Sequence, residues 1–297
     1  MIQTHHTPGC DGNETDCFCV QDRNRRIGMN EFRYLRCERC GLIRLDNVPT
    51  DLENYYPNNY YALPTINQLA AVAAADPFKI ETIQRFISQG RLLEIGPAYG
   101  TFALQAKQAG FHVDVVEMDT RCCDYLNQVV GVSAVCSASP HEIISALGTH
   151  DVIALWHVIE HLPNPWALLS AAASNLVSGG ILVLAAPNPE AWQFYVMGRE
   201  WPHVDAPRHL YLLPAQTLTD YAQTLGLECI HSTTTDSDAK CWNRFGWQRL
   251  LMNHVRGKWL ERAAFVMGYA LSFILAPFES HNFKGSAYTL VFRKVTT

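Results

Sequence analysis

The chain has 297 residues, 48% hydrophobic and 17% charged. That is an ordinary globular composition with enough apolar material for one large domain or two smaller ones. A net charge of -5 at pH 7 provides no basic field for nucleic acid, so nucleic acid is not an expected partner. The opening residues, MIQTHHTPGCDGNETDCFCV, contain no apolar run, so no secretory signal is expected and the cytoplasm is the expected compartment.

Five of the ten cysteines, Cys10, Cys17, Cys19, Cys37 and Cys40, fall within the first forty residues. In a reducing compartment such a cluster reads as metal-binding before it reads as disulfide. Residues 1–45 are therefore expected to form a zinc-ribbon-like module. Cys37-Glu38-Arg39-Cys40-Gly41 has knuckle spacing, with a glycine that lets backbone amides turn toward thiolates. The expected ligands of a structural zinc are Cys37 and Cys40 with two of Cys10, Cys17 and Cys19. Cys17 and Cys19 are the first choice and Cys10 the substitute. His5 and His6 are further substitutes on an end expected to fray. Residues 46–76, including LENYYPNNYYALP, read as an aromatic linker that either packs over a ligand or joins the module to the next domain.

From residue 77 strands and helices alternate. FKIETIQRFI has helical spacing, RLLEI is a short apolar strand, and TFALQAKQAG is a helix closed by Gly110. HVDVVE, VSAVC, DVIALW and ILVLAAP are further strands. TRCCDYLNQVV, PHEIISALG and PWALLSAAASNLV are the helices between them, the last ending at Gly179–Gly180. This rhythm predicts a parallel, doubly wound α/β sheet in a domain spanning 77–297. A Trp/Pro/His-rich stretch, EWPHVDAPRHLYLLP, comes next. Its His203 and Arg208 could meet a polar or anionic acceptor, or only solvent. A helix (AQTLTDYAQTLG), a strand (LECIHSTTT), a helical insertion over 242–280 and a last strand (SAYTLVFRKV) complete the chain.

The strongest signal is the first strand and its exit. Glu94 closes the strand, the loop Gly96-Pro97-Ala98-Tyr99-Gly100 turns into a helix, and the second strand ends on Glu117 about twenty residues later. Glycines let a backbone approach a nucleoside ligand, and the later carboxylate accepts hydrogen bonds from ribose hydroxyls. The G-x-x-x-G spacing differs from the dinucleotide loop, and a carboxylate at position 94 would repel a diphosphate. It suits a ligand with an ammonium or sulfonium group, which points to S-adenosylmethionine.

These residues, with E-H-L-x-x-P after the fourth strand and P-x-H-L after the fifth, resemble the class I S-adenosylmethionine-dependent methyltransferases. The resemblance covers 77–235 and the last strand. It implies a seven-stranded sheet in the order 3-2-1-4-5-7-6 with the last strand antiparallel. It also implies that Glu94, Gly96 and Gly100, with Pro97, Ala98 and Tyr99 between them, line the amino acid end of the cofactor. Glu117 then holds the ribose, Met118 packs on the adenine, Ser137 and Ala138 lie near the adenine amino group, and Trp156 and His157 begin the loop beneath the methyl. Ala98 stands where the family's middle glycine usually is. Relatives with a cysteine-bearing N-terminal module include sugar-modifying enzymes.

His157-Val158-Ile159-Glu160-His161 by itself matches the H-x-x-E-H pattern of inverted zinc proteases. That chemistry needs a sustained helix, whereas here a strand precedes the five residues and Pro163 and Pro165 come closely after them. They are expected instead at the carboxyl end of the fourth strand, facing the cleft. Transfer to a hydroxyl requires in-line alignment and proton removal, and histidine is the natural base near neutral pH. The candidates are His161, His157 and His209, with Glu160 as orienter or metal ligand. In the quinone-pathway O-methyltransferases a similar acidic cluster binds a divalent metal; here His157 takes its first position. The plainer alternative is a loop that Glu160 and His161 brace by hydrogen bonds alone.

Within the insertion, AAFVMGYALSFILAPF is an apolar run of about sixteen residues, short of the roughly 20 that span a bilayer. It is expected to form a helical hairpin over the active site or at a homodimer contact, or a membrane-surface contact through 259–278. The leading expectation is a methyltransferase for a small-molecule acceptor, a hydroxyl of a sugar or secondary metabolite. The alternatives are a quinone or lipid-precursor O-methyltransferase at the membrane surface, and a catalytically silent binding protein of the same fold.

Overall fold

The computed structural model describes residues 4–57 and 60–295. In chain order the strands are β1 (Glu14–Gln21), β2 (Glu31–Cys37), β3 (Ile43–Leu45), β4 (Arg91–Ile95), β5 (His112–Glu117), β6 (Ser133–Cys136), β7 (His150–Trp156), β8 (Leu176–Pro187), β9 (Tyr211–Leu212), β10 (Leu227–Thr233) and β11 (Ala287–Lys294). The α-helices are α1 (Ile66–Ala75), α2 (Phe78–Gln84), α3 (Thr101–Gln108), α4 (Thr120–Tyr125), α5 (Pro140–Ile143), α6 (Pro165–Asn175), α7 (Trp192–Met197), α8 (Ala215–Thr224), α9 (Ser237–Asn253) and α10 (Lys258–Glu279).

Seven strands form one sheet in the order β10-β11-β8-β7-β4-β5-β6. β4, β5, β6, β7 and β8 are parallel, and β11 runs antiparallel between β8 and β10. This is the strand order, with the antiparallel last strand, that the resemblance implies. The central strands read as continuous apolar runs because helices cover both faces of the sheet.

Caps set the helix starts. Asn164 accepts from the Ala167 amide at 3.0 Å with Pro165 in the first turn of α6, and Asp119 accepts from the Arg121 amide at 2.9 Å to open α4. Two elements differ from expectation. The stretch read as linker contains α1, opened by a Thr65/Gln68 capping box. Gly179–Gly180 do not end α6 but lie inside β8, where a Cβ on Gly180 would sit 2.9 Å from the Asp151 carbonyl. The pair permits a close strand approach rather than a helix stop.

The N-terminal strands form a second sheet, β1-β2-β3-β9, completed by a strand roughly 160 residues downstream. Its core is continuous with one face of the large sheet through Tyr34, Leu42, Ile43, Leu210 and Tyr211. Residue 45 is thus a boundary in sequence but not in packing. The seam is also ionic. Arg208 is fully buried and spans Asp22 of the N-terminal segment (2.7 and 3.1 Å) and Asp205 (2.9 Å at both oxygens). Arg208 is therefore a structural clasp, with no donor facing an acceptor molecule. His203 is likewise internal, bonding the Trp242 carbonyl at 3.1 Å.

Candidate active site

A cavity of about 250 Å³ opens at the carboxyl ends of β4, β5 and β7. One end is formed by Gly96, Glu117, Met118, Ser137 and Ala138, and the other by His157, His161 and Pro163. Tyr56, Tyr60 and Tyr61 of the aromatic segment close over it. A larger groove of about 830 Å³ lies beside the cysteine cluster, away from the strand ends.

The βα loop is built for close approach. Gly96 and Gly100 adopt left-handed backbone at φ +68° and +85°. A Cβ on either would lie 2.6 Å from Val158 Cγ2 or 2.5 Å from Leu126 Cδ2. Ala98 shares the left-handed region at φ 52°, a conformation an L-residue holds only when surroundings impose it. The imposing group is Glu117: one carboxylate oxygen accepts from the Ala98 amide at 2.9 Å, the other from Met118 and Asp119 at 2.7 and 2.9 Å. The same carboxylate lines the cavity, so it ties loop and ligand site together. Burial nonetheless raises its affinity for a proton.

Glu94 lies just behind the loop. It is buried, its Oε2 has no hydrogen-bond partner among the described residues, and burial pushes its carboxyl up to about 8 against the pull of Lys79. An uncompensated carboxyl beside a glycine cradle suits a cationic ligand group, which would both ionise and satisfy it.

Pro97, Ala98, Tyr99 and Gly100 shape the loop, while Glu94 and Trp156 sit behind the cavity wall. Trp156 packs edge-on against Phe78 and Phe102, each at 5.6 Å. It is core, where the resemblance put it beneath the methyl. Met118 is 64% exposed at the rim.

The strand-four loop and its neighbour carry three histidines, of which His157 and His161 differ in charge. His157, at φ 57°, bonds Asp238 at 2.6 Å and lies 3.7 Å from Glu160. Burial opposes its charge, but the two carboxylates outweigh that and hold it protonated up to about 9. A charged imidazole is no base at neutral pH. Asp238, at the start of α9, is a functional neighbour that the sequence does not reveal, because no local pattern links positions 81 residues apart.

His161 is the opposite case. Burial and the facing His209 lower its pKa to about 4, so it is neutral at working pH. Its Nδ1 lies 2.9 Å from the Arg208 carbonyl, which accepts, and 3.2 Å from the Tyr56 hydroxyl. His209 Nδ1 likewise donates to the His203 carbonyl at 2.8 Å. The neutral His161 ring therefore keeps its lone pair on Nε2.

Glu160 is 1% exposed, and neither carboxylate oxygen has a hydrogen-bond partner among the described residues. Burial resists its ionisation, but the surrounding histidines hold it below the ordinary range. One donor atom from each of Glu160, His161 and His209 falls within 4.8 Å of the others. Two imidazoles and a carboxylate in that arrangement fit a divalent cation as well as a proton-transfer pair. His157 stays outside the set.

At the other end of the chain, the cysteines do not gather as expected. Cys10, Cys37 and Cys40 come together with His6. Cys17 and Cys19 lie on β1, outside the group, with Cys19 exposed. Cys17 sits at an irregularity of β1 between Asp16 and Phe18 and packs against the core, while Cys19 is exposed, so the strand holds both thiols away from the two turns where the group assembles.

The sheet order, the glycine cradle and the carboxyl pair define a class I S-adenosylmethionine-dependent methyltransferase fold. A methyltransferase-domain family model matches residues 69–232, and the chain belongs to that family. It is 27% identical over 169 residues to the ubiquinone biosynthesis O-methyltransferase of Bordetella avium, covering 52% of this chain and 70% of that protein. The enzyme of the same description from Ralstonia nicotianae is 25% identical over 166 residues, with the same coverage. A SAM dependent methyltransferase from Archaeoglobus fulgidus superposes with a TM-score of 0.48 at 18% identity, over 76% of this chain and 94% of that one.

Proposed function

We propose that the protein moves the methyl group of S-adenosylmethionine to a hydroxyl of a small-molecule acceptor. The observation that carries this reading is the cavity itself, with a nucleoside-type end at Glu117 and Ser137 and a neutral histidine, His161, at the other. S-adenosylmethionine supplies an already activated methyl, so the chain need only align an acceptor and manage its proton. Glu117 and the loop amides hold the ribose end, and Glu94 meets the amino acid end. Tyr56, Tyr60 and Tyr61 exclude water from an apolar cleft. His161, its Nδ1–H anchored on a backbone carbonyl, takes the hydroxyl proton at Nε2, and Glu160 stabilises the imidazolium that forms. The activity named for the Bordetella and Ralstonia relatives supports oxygen as the acceptor atom. The aromatic lining favours an acceptor with a ring face, from a sugar to a quinone precursor.

Calorimetry with S-adenosylmethionine tests the cofactor assignment. Wild type is expected to bind, and Glu117→Gln to bind at least tenfold more weakly, about 1.4 kcal/mol. No heat from the wild type would favour the silent-binder alternative.

A specific observation favours membrane-surface work as a second reading. α10 packs on α9 through Ala264, Gly268 and Ser272; a Cβ on Gly268 would meet the Gln248 backbone at 2.5 Å. Its other face leaves Trp259, Phe265, Val266, Phe273 and Ile274 between 49% and 81% exposed, flanked by the cationic Arg256, Lys258 and Arg262. An apolar stripe with a cationic border matches an anionic lipid surface. Co-sedimentation with phosphatidylglycerol vesicles is expected for wild type and lost in Phe273→Asp/Ile274→Asp. Equal recovery of both proteins in the pellet, or of neither, would sink this reading.

A further inference from the structure

We propose that His6, Cys10, Cys37 and Cys40 form a tetrahedral zinc site that pins the N-terminal arm to the loop carrying Glu160 and His161. Four ligand atoms, one from each residue, lie within 4.8 Å of one another. Cys10 Sγ and Cys37 Sγ are 3.8 Å apart. Zinc–sulfur bonds of about 2.3 Å at a tetrahedral angle place two sulfurs about 3.8 Å apart, whereas a disulfide needs about 2.05 Å. The spacing is that of a shared ion.

The fourth ligand is identified by what it lacks. His6 Nδ1 faces the Thr7 carbonyl at 3.2 Å, which fixes the proton on that nitrogen. Its Nε2 is buried and has no hydrogen-bond partner among the described residues. An imidazole with one nitrogen anchored on a carbonyl and the other unpartnered beside three thiols has the geometry of a zinc ligand with its outer support in place.

The surroundings are those of thiolates. The Cys40 amide points at Cys37 Sγ at 3.5 Å, and the Thr7 hydroxyl lies 3.4 Å from Cys40 Sγ. Gly12 packs so tightly that a Cβ there would lie 2.6 Å from Cys37 Sγ. Gly41, at φ +72°, turns the knuckle. The two ligand pairs, H-x₃-C and C-x₂-C, sit on two turns brought together by the sheet.

The consequence reaches the active site. His5, next to the ligand His6, is held on both sides: its amide meets the Tyr211 hydroxyl at 2.5 Å, and its carbonyl accepts from Trp166 Nε1 at 3.2 Å. The same Tyr211 hydroxyl lies 2.8 Å from the Pro163 carbonyl, two residues beyond His161. The Cys40 carbonyl accepts from Thr217 of α8 at 2.6 Å. A metal at the four ligands therefore closes a short circuit of contacts from the arm to the catalytic loop.

The test is elemental and spectroscopic on the full-length protein. One equivalent of zinc per chain is expected by mass spectrometry in the wild type and in Cys17→Ser/Cys19→Ser, and loss of it in Cys10→Ser. Cobalt-loaded wild type should show thiolate-to-cobalt absorption, and His6→Cys should keep the metal and raise that absorption by about a third, from three thiolates to four. Chelation should lower the melting temperature of the wild type and leave that of Cys10→Ser unchanged. Zinc retained in Cys10→Ser and lost in Cys17→Ser/Cys19→Ser would overturn the assignment, as would wild-type protein that neither contains zinc nor takes up cobalt.

Discussion

Arg208→Met is expected to destabilise the fold by about 3–5 kcal/mol, read as a fall in the urea midpoint with little change in slope. The guanidinium is fully buried and makes four charge-assisted bonds of 2.7–3.1 Å to Asp22 and Asp205. Removing it leaves two carboxylates in a low-dielectric seam. Burial alone would push the Asp205 carboxyl up, but Arg208 outweighs it and holds the group well below 3.8. A depressed carboxyl contributes stability above its unfolded pKa and loses it as pH falls through the folded one. The destabilisation should therefore be full at pH 7 and shrink as pH falls toward and below 3.8, where the uncompensated Asp205 carboxylate takes up a proton. The triple variant Arg208→Met/Asp22→Asn/Asp205→Asn removes all three charges and should recover part of the loss. A single-variant cost under about 1 kcal/mol, the range of an exposed pair, would show that the clasp is solvated.

The second large effect concerns chemistry. His161→Ala is expected to lower kcat by about 10²–10⁴-fold with cofactor affinity unchanged, the range of a lost general base. His157→Ala should instead disturb the loop, since that side chain serves Asp238 and Glu160 rather than the acceptor. The pH profile separates the two histidines. His161, held at about 4, is deprotonated throughout the neutral range, so activity should fall on the acid side only as pH approaches 4. His157, protonated up to about 9, keeps Glu160 and Asp238 paired below that pH, so the alkaline limb should lie near 9. An acid limb near the ordinary histidine value of about 6.5 would remove His161 from the role. Loss of activity on chelation, restored by a divalent cation and absent in His209→Ala, would assign the cluster to metal holding instead.

Much of this site is legible without coordinates. A carboxylate at the end of the first strand, a glycine loop and a second carboxylate at the next strand end occur in one stretch of sequence. Parallel β-α units place such strand ends on one edge of the sheet by topology alone. Glu117, Gly96, Ser137 and His161 accordingly face one cavity. The insertion is legible as a helical hairpin from its apolar spacing, although which face it hides is not.

Three features lie beyond such reading. Asp238 joins His157 from a helix that comes after the sixth strand of the large sheet in chain order, and no spacing rule connects them. In sequence Arg208 resembles a free cation beside an acceptor, because one partner lies 186 residues upstream and the other three residues upstream, and only burial reveals that both are spent on it. The cysteines are legible as a metal-binding group, but not which of them belong to it. Sequence proximity favours the C-x-C pair, while the strand that carries it holds both thiols away from the two turns that bring His6, Cys10, Cys37 and Cys40 together.

Local rules suffice for the alternating apolar strands and helices, the glycine cradle, and the carboxylates at strand ends. The state of each polar side chain depends instead on packing between distant segments. Burial and its neighbours make His157 a cation and His161, four residues further along the chain, a neutral imidazole. They also make Arg208 a clasp, and leave His6 Nε2, Glu94 Oε2 and Glu160 without hydrogen-bond partners among the described residues. Those differences arise from desolvation and from contacts between distant segments, and neither is written in any one stretch of the chain.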